Sequence, residues 1–150
     1  MITTEQIKKL RDETGVSVMQ CRTALEEAGG DMAKAKEVLQ KISQKSAEKK
    51  ADRELGGGVV VSYIHNGGAV GVLLEVLCET DFVARNEEFK AVGKDIAMHI
   101  AAMSPESRED LLAQEFIKDP SITIKSVLEQ ATQKFGERTG IGQFARFSIK

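Results

Sequence analysis

Apolar positions in the first 44 residues recur at helical spacing and predict three short helices. Thr3 and Gln6 have the spacing of a capping box, and Ser17 and Gln20 repeat it ahead of a second apolar stripe. Asp31 follows a Gly-Gly break and is a good N-cap for a third helix. Helices of about 10 residues are too short to be stable alone, so the pattern predicts that the three pack into a small bundle.

Residues 45–55 are charged and lack an apolar stripe, which predicts a solvated helical connector. The basic residues within it could contact nucleic acid. Acidic residues interrupt them and no aromatic residue accompanies them, which favours the connector. Three glycines at 56–58 then predict a domain boundary. The predicted domains are a helical unit with its linker over residues 1–54 and a second unit over residues 55–150.

The segment after these glycines has the character of a β-hairpin. The runs VVVSYIH and AVGVLLEVLCET flank Asn66-Gly67, which is the sequence signal of a tight type I′ turn. Both faces of the hairpin are apolar, one through Val59, Val61, Tyr63, Val70, Val72 and Leu74 and the other through Val60, Ile64, Leu73 and Leu77. This predicts a sheet that is at least partly covered on both sides, by helices or by a partner.

The second half of the chain predicts several helices and a returning strand. Residues 87–103 carry an apolar stripe behind the N-cap Asn86, and Ser104-Pro105 predicts the start of a short helix. The stretch EFIKDPS reads as irregular, Thr123 as the cap of a last helix, and GQFARFSIK as a final strand. Together these elements predict an α+β core in which a small antiparallel sheet is packed with helices.

Composition and charge change this picture little. The 150 residues are 41% hydrophobic and 29% charged, with a net charge of −2. Interspersed charges argue against a dedicated nucleic-acid surface. No apolar run approaches the roughly 18 residues of a membrane span, and the N-terminus has no signal-peptide h-region. Together with two distant cysteines, Cys21 and Cys78, this predicts a cytoplasmic protein.

Residues with catalytic or metal-binding chemistry are sparse in the sequence. Cys21, Cys78, His65 and His99 lack the spacing of zinc ligands, and no phosphate-binding glycine loop opens a helix. We expect both cysteines and His99 to be packed in the core. The sequence therefore predicts no metal, no cofactor and no enzymatic site, and it favours a binding role.

The stretch ETDFVARN places an acidic residue and a large aromatic residue, Asp81 and Phe82, side by side at the end of a strand. Periodicity alone favours a turn aspartate followed by a core phenylalanine. The alternative is an exposed aromatic anchor with a charged neighbour on a rigid corner, which suits insertion into a partner. The residues by themselves leave both interpretations open.

With these motifs, the chain resembles the elongation factor Ts family, the guanine-nucleotide exchange factors of elongation factor Tu, over nearly its whole length. The resemblance is carried by TTEQIKKLRDETGVSVMQCRTALEEAGGDMAKAKEVLQ, by GGGVVVSYIHNGGAVGVLLEVLCETDFVARNEEF, by DIAMHIAA, by FIKDPSITIKSVL and by RFSIK. TDFVARN is its most specific part. The resemblance implies a ubiquitin-associated-type bundle over residues 1–54 and a core domain of the dimerisation type over residues 55–150.

The resemblance also implies which residues contact the partner. Thr80, Asp81, Phe82 and Val83 match the family's exchange element, whose aromatic residue enters the GTPase domain and disturbs its Mg²⁺ and phosphate region. Supporting residues in this comparison are Arg85 and Asn86, and the N-terminal docking residues are Thr14, Gly15, Val16 and Met19. The core is expected to reach a second domain of elongation factor Tu.

The chain departs from the family between Met103 and Phe116, where most members carry a long, helix-rich segment. It therefore resembles a short form with a single core repeat, for which a homodimer or a two-plus-two complex with the GTPase is expected. Two other functions stay open from the sequence. One is a protein-interaction adaptor, and the other is an RNA-binding module that uses residues 41–53.

Overall fold

The structure, a computed structural model that describes residues 1–149, has the predicted α+β architecture. Its helices are α1 (Thr4–Thr14), α2 (Val18–Glu27), α3 (Met32–Lys49), α4 (Asp81–Ala84), α5 (Glu87–Met103), α6 (Arg108–Ala113) and α7 (Ile124–Phe135). Its strands are β1 (Gly57–His65), β2 (Val70–Cys78), β3 (Glu115–Phe116), β4 (Asp119–Thr123) and β5 (Gly140–Ser148). Lys150, the last residue of the predicted final strand, lies outside the described residues.

The three N-terminal helices begin where their caps predict. Thr3 and Gln6 form a reciprocal capping box, and the Ser17 and Asp31 side chains each accept a hydrogen bond from a backbone N–H three residues ahead. The helices enclose a shared buried cluster of Leu10, Val16, Cys21, Ala24, Leu25, Ala35 and Leu39. The predicted packing of the three helices into a bundle is therefore confirmed, although α3, with 18 residues, is longer than predicted.

The predicted solvated helical connector over residues 45–55 is confirmed in part, because residues 45–49 are helical and largely exposed but belong to α3, whereas residues 50–55 are not helical. Helix α3 continues without a break to Lys49, because the charged residues of this stretch have good helix propensity. One side of α3 packs against α7, where the buried Ser43 donates a hydrogen bond to the Gln133 side chain. The last two turns of α3 thus belong to a packed helix, and the division of the chain at residue 54 stays a prediction.

The main sheet is antiparallel, in the strand order β1-β2-β5, and helix α5 covers one of its faces. Gly93 permits this contact, since a Cβ there would lie 2.9 Å from a methyl carbon of Val76. The covered face is buried through Val61, Val72, Leu74 and Val76. On the opposite face Val60, Ile64 and Leu73 are exposed, so the described chain covers the sheet on one side only.

The turn between β1 and β2 is longer than predicted. His65 pairs with Val70, which leaves a four-residue loop that begins with a 3₁₀ turn at Asn66–Gly68. The hairpin itself is confirmed, but the tight type I′ turn is wrong. Asn66, Gly67 and Gly68 all have positive φ, and two glycines in succession make this wider loop possible.

The glycines at 56–58 lead directly into the main sheet, and the domain boundary that they predict stays a prediction. Gly57 and Gly58 are the first two residues of β1. A Cβ on Gly57 would lie 2.7 Å from the carbonyl carbon and oxygen of Thr80, and a Cβ on Gly58 would lie 2.8 Å from the Val76 oxygen. These glycines are therefore required by the close approach of neighbouring backbone, rather than by flexibility.

Two local predictions in the second half of the chain are wrong, whereas α5 and α7 begin and end as predicted. The short helix α6 does not start at Ser104-Pro105. Ser104 instead ends α5 in a left-handed conformation, with φ of 47°, and α6 begins after the N-cap Ser107. The stretch EFIKDPS forms the small β3-β4 hairpin. Backbone pairing over so few residues leaves little periodicity for a sequence pattern to reveal.

Both cysteines and His99 are buried, as predicted. His99 Nδ1 accepts a hydrogen bond from the Ile117 backbone N–H at 3.1 Å, and its Nε2 lies 2.9 Å from Gln114 Oε1. Burial lowers the pKa of His99, so the neutral ring joins α5 to the chain around β3. Over residues 1–149, every helix is too short or too polar to cross a membrane.

Candidate partner-binding site

Residues 80–86, which we name the 80–86 turn, connect the end of β2 to the start of α5. Thr80 caps the single helical turn α4, and its Oγ1 accepts a hydrogen bond from the Val83 N–H at 3.4 Å. The Arg85 N–H donates to the Asp81 oxygen at 3.0 Å, and the Asn86 N–H donates to the Val83 oxygen at 3.0 Å. These hydrogen bonds make the corner a defined turn with a fixed backbone.

Side chains of the 80–86 turn point in opposite directions. Val83 and Ala84 are buried in the main core, each with 6% exposure. Asp81 is exposed, and Phe82 has 85% of its surface in contact with solvent. The interpretation of Phe82 as a core residue, which periodicity favoured, is therefore wrong. One turn of helix lets Val83 reach the core while its neighbour faces outward.

The carboxylate of Glu137 is hydrogen-bonded to the chain where the turn begins. Its Oε1 accepts hydrogen bonds from the backbone N–H groups of Glu79, at 3.1 Å, and Thr80, at 3.0 Å. Its Oε2 accepts the hydroxyl proton of Thr80 at 2.7 Å. Sequence analysis did not identify Glu137, because it is 57 residues away from Thr80 along the chain.

Further contacts fix the strand end that leads into the turn. Glu79 Oε2 accepts a hydrogen bond from the Arg138 N–H at 2.5 Å, and Glu79 Oε1 lies 3.5 Å from Arg53 Nη1. The Cys78 thiol donates to the Thr80 oxygen at 3.2 Å. Burial raises the pKa of Cys78, and the Glu137 carboxylate raises it further, which keeps the thiol protonated as a donor.

The two predicted supporting residues differ in their surroundings. Asn86 caps α5, with its Oδ1 accepting hydrogen bonds from the backbone N–H groups of Glu88, at 2.8 Å, and Phe89, at 3.3 Å. Arg85 is exposed at the end of the turn. The geometry therefore gives Asn86 a structural contact within the chain and leaves Arg85 exposed to solvent.

The predicted N-terminal docking residues surround the junction of α1 and α2. Gly15 ends α1 with φ of 72°, and Thr14 Oγ1 donates to the Leu10 oxygen at 2.7 Å. Val16 is buried, with 5% exposure, whereas Met19 is 78% exposed. Met19 and its neighbour Val18, which is 52% exposed and was not predicted, form the accessible apolar surface of this junction.

Lys134, near the end of α7, relates the two predicted contact regions to each other. Its Nζ lies 2.6 Å from Glu88 Oε2, and this interaction lowers the pKa of the Glu88 carboxyl. A Cβ on Gly15 would lie only 2.9 Å from the same Nζ. The Gly15 junction and the α5 N-terminus that follows the 80–86 turn thus meet at the carboxyl end of α7.

A second candidate surface is the uncovered face of the main sheet, which we name the open sheet face. It consists of Val60, Ile64, Leu73, Phe147 and Ile149, all more than half exposed. Strand β5 contributes Phe147, which pairs with Gly71 in the ladder. The sequence predicted the apolar residues of the hairpin but missed Phe147, because the position of β5 beside β2 is a tertiary feature.

Metal binding finds no support in the described part of the chain, since residues 1–149 contain no cluster of three His, Cys, Asp or Glu side chains that could hold an ion. The 80–86 turn exposes an aromatic side chain, a carboxylate and a guanidinium, and aromatic and arginine side chains are enriched in protein interfaces.

Comparisons with known proteins agree on one family. The family model described as "Elongation factor TS" matches residues 5–110. Elongation factor Ts of Carboxydothermus hydrogenoformans is 41% identical over 194 aligned positions, covering 99% of this chain and 89% of the relative. Elongation factor Ts of Fervidobacterium nodosum is 38% identical, covering 99% of this chain and 98% of the relative.

A third relative, elongation factor Ts of Thermosipho melanesiensis, is 47% identical, covering 91% of this chain and 78% of the relative. The first alignment has 194 positions and this chain has 150 residues, so at least 44 positions of that relative have no counterpart here. This chain is thus shorter than the aligned part of that relative. On the extent and identity of these matches, it belongs to the elongation factor Ts family of translation elongation factors, which act in protein biosynthesis.

Proposed function

We propose that this protein is a guanine-nucleotide exchange factor, which binds elongation factor Tu in its GDP-bound form and promotes the release of GDP. The observation that carries the proposal is the 85% exposure of Phe82 on a turn whose backbone is held by hydrogen bonds. A large aromatic side chain on a rigid corner supplies apolar contact area at little cost in conformational entropy. Membership of the elongation factor Ts family supports the same proposal.

In the proposed mechanism, the corner formed by Asp81 and Phe82 inserts near the Mg²⁺ and phosphate-binding region of the GTPase. The Phe82 ring needs a pocket that is closed while Mg²⁺ and GDP are in place. A protein that binds the nucleotide-free GTPase more tightly than the GDP-bound form must weaken GDP binding by the same factor. Exchange therefore follows from differential binding, and no covalent bond is made or broken.

We propose that the junction of α1 and α2 supplies a second contact with the GTPase domain. Met19 and Val18 are the exposed apolar side chains there, and the buried Val16 holds the junction on its own bundle. The contact between Lys134 and Glu88 supports a fixed separation between this junction and Phe82. Two contacts at a fixed separation bind together with less entropy loss than two independently moving ones.

We propose that the open sheet face contacts a protein surface other than the GTPase domain. An apolar surface with this many exposed large side chains is typical of an interaction site. For a chain with a single core repeat, we propose that a second copy covers this face, which gives a homodimer or a two-plus-two complex. The remaining core surface is then available to a second domain of elongation factor Tu.

The proposed function is tested by the release of fluorescently labelled GDP from elongation factor Tu after mixing with excess unlabelled GDP. We expect this protein to accelerate release, with a rate that rises and then saturates as its concentration increases. Binding is measured in parallel by calorimetry, with nucleotide-free and GDP-bound elongation factor Tu. An adaptor would bind without accelerating release, and that result would contradict the proposal.

A further inference from the structure

Glu137 and Thr80 form a carboxylate–hydroxyl contact that the proposed exchange mechanism does not yet use. The Glu137 carboxylate accepts three hydrogen bonds, two from consecutive backbone N–H groups of Glu79 and Thr80 and one from the Thr80 hydroxyl. Hydrogen bonds to an ionised acceptor are stronger than those between neutral groups. Glu137 thereby restrains the backbone at the residue where the 80–86 turn begins.

The direction of the Thr80 hydroxyl proton matters for the turn. To cap α4, Thr80 Oγ1 must accept a hydrogen bond from the Val83 N–H, which lies 3.4 Å away. A hydroxyl has one proton to donate, and Glu137 Oε2 accepts it at 2.7 Å. The carboxylate thus orients the hydroxyl so that a lone pair faces the N–H of Val83.

Glu137 is itself anchored to the core. It directly follows Gly136, which ends α7 with φ of 73°. The last residue of α7, Phe135, packs edge-on against Phe89 of α5, with 5.6 Å between ring centroids. The Thr139 N–H donates to Thr132 Oγ1 at 3.2 Å, which closes the chain back onto α7. The carboxylate is therefore presented from a packed element.

We infer that Glu137 is a positioning residue for nucleotide exchange, which forms the 80–86 turn before the partner arrives and so holds Phe82 in its exposed orientation. A helical turn as short as α4 has little stability of its own, so its shape depends on such external contacts. Where the binding-competent shape is only partly populated, the apparent affinity falls by that fraction. The inference rests on the proposed function, because it names the residue that prepares the proposed anchor.

The first experiment compares Glu137→Ala with Glu109→Gln, which removes a carboxylate from an exposed residue of α6. We expect Glu137→Ala to slow labelled-GDP release by about tenfold at limiting concentration, which corresponds to about 1.4 kcal/mol, and Glu109→Gln to leave it unchanged. Amide hydrogen exchange in the free protein provides a readout on the turn itself. Hydrogen exchange at the backbone amides of Glu79 and Thr80 should be faster in the Glu137→Ala protein than in wild type.

A double-mutant cycle separates positioning from a general structural effect. If Glu137 acts through the Phe82 ring, Glu137→Ala should slow release by less than about twofold when Phe82→Ala is already present. A full tenfold effect in that background would overturn the inference, since it would show an independent contribution. An unchanged release rate for folded Glu137→Ala, alongside a slow Phe82→Ala protein, would also overturn it while leaving the proposed function standing.

Two variants of Thr80 test the same contact from its other end, and they keep the inference testable if Glu137→Ala fails to fold. Thr80→Val removes the hydroxyl but retains the side-chain shape, and Thr80→Ser retains the hydroxyl. We expect slow release for Thr80→Val and near-normal release for Thr80→Ser. Equal rates for the two would overturn the inference. An unchanged rate for Phe82→Ala would contradict the proposed role of the Phe82 ring and the inference with it, whereas a wild-type protein that does not accelerate release would contradict the proposed function.

Discussion

Phe82 and Val83 are adjacent residues of one helical turn, yet Phe82 is 85% exposed and Val83 is 6% exposed. Val83 packs in the main hydrophobic core and fixes the turn to the sheet and α5. The Phe82 ring is consequently held on the surface, because the turn that carries it cannot easily rearrange to bury it. This relationship leads to distinct expectations for changes at the two neighbouring residues.

Phe82→Ala should slow GDP release without destabilising the protein. Truncation of an aromatic hot spot typically costs about 2 kcal/mol or more, so release at limiting concentration should slow by at least roughly thirtyfold. The melting temperature should be unchanged because the ring contributes little to the core. Ile117→Ala, which truncates an exposed apolar side chain on another loop, is the control and should behave as wild type.

Asp81→Ala should give a smaller defect than Phe82→Ala, because an exposed charge at the edge of an interface mainly affects orientation and association rate. Its effect should shrink as ionic strength increases.

The prediction for Phe82→Ala has a clear contrary outcome. A Phe82→Ala protein that melts at a much lower temperature, yet promotes GDP release normally per folded molecule, would show that the ring has only a structural role.

Substitutions of Met19 and Val16 distinguish an effect on partner binding at the N-terminal junction from an effect on the stability of the helical bundle. Met19→Ser should weaken binding to elongation factor Tu in calorimetry and leave the melting temperature unchanged, because Met19 is 78% exposed. Val16→Ala should lower the free energy of unfolding by about 2 kcal/mol, since Val16 is buried. Normal affinity for Met19→Ser would exclude this junction as a docking surface.

Association through the open sheet face should be visible by sedimentation velocity at micromolar concentrations. We expect wild type to sediment as a dimer, alone or in a two-plus-two complex. Leu73→Glu should sediment as a monomer, because a charge would be buried without a partner. Ile117→Glu adds the same charge on a different surface and should remain dimeric. A monomeric wild-type protein that forms a one-to-one complex would contradict the assignment.

Gly57→Ala and Gly56→Ala form a matched pair that tests the close approach of β1 to the 80–86 turn. A Cβ on Gly57 would lie 2.7 Å from the Thr80 carbonyl, whereas one on Gly56 would lie at an ordinary 3.4 Å from the Glu79 oxygen. Gly57→Ala should therefore lower the free energy of unfolding by about 1–3 kcal/mol. Gly56→Ala should have little effect in the same urea titration, and equal losses would argue against a specific contact.

His99 should make stability depend on pH. Burial lowers its pKa in the folded state below the ordinary value of 6.5, so between these two pKa values the unfolded chain binds a proton that the folded chain does not. The free energy of unfolding should thus be highest above pH 6.5 and fall as pH decreases through the interval below it. Protonation would also place a proton on Nδ1, where the Ile117 N–H now donates.

Urea unfolding at several pH values between about 8 and 5 measures this dependence on pH. His99→Gln should be less stable at every pH but should lose most of the dependence in this interval. His65→Gln, the same substitution at an exposed histidine, is the matched comparison. A profile that is the same in wild type and His99→Gln would show that other groups cause the dependence.

Much of the local structure could be predicted from the sequence, because it depends on neighbouring residues. The helix caps at Thr3, Asp31 and Thr123 are examples, since each side chain bonds to a backbone N–H three residues ahead. The apolar stripe of α5 is another, since helical periodicity places its residues on one side. By contrast, the packing of α3 against α7 was not predicted, because the two helices are distant in sequence.

The candidate site shows the same division between local and tertiary information. TDFVARN identified the corner and, through family resemblance, favoured an exposed Phe82, whereas periodicity favoured a buried one. Only the fold places Val83 in the core beside it and brings Glu137 to Thr80 across 57 residues of chain. The sequence by itself determined which residues form the turn, because capping is local. The tertiary structure decided which side chain faces solvent and what supports it, because burial and long-range hydrogen bonds depend on chain segments that meet only on folding.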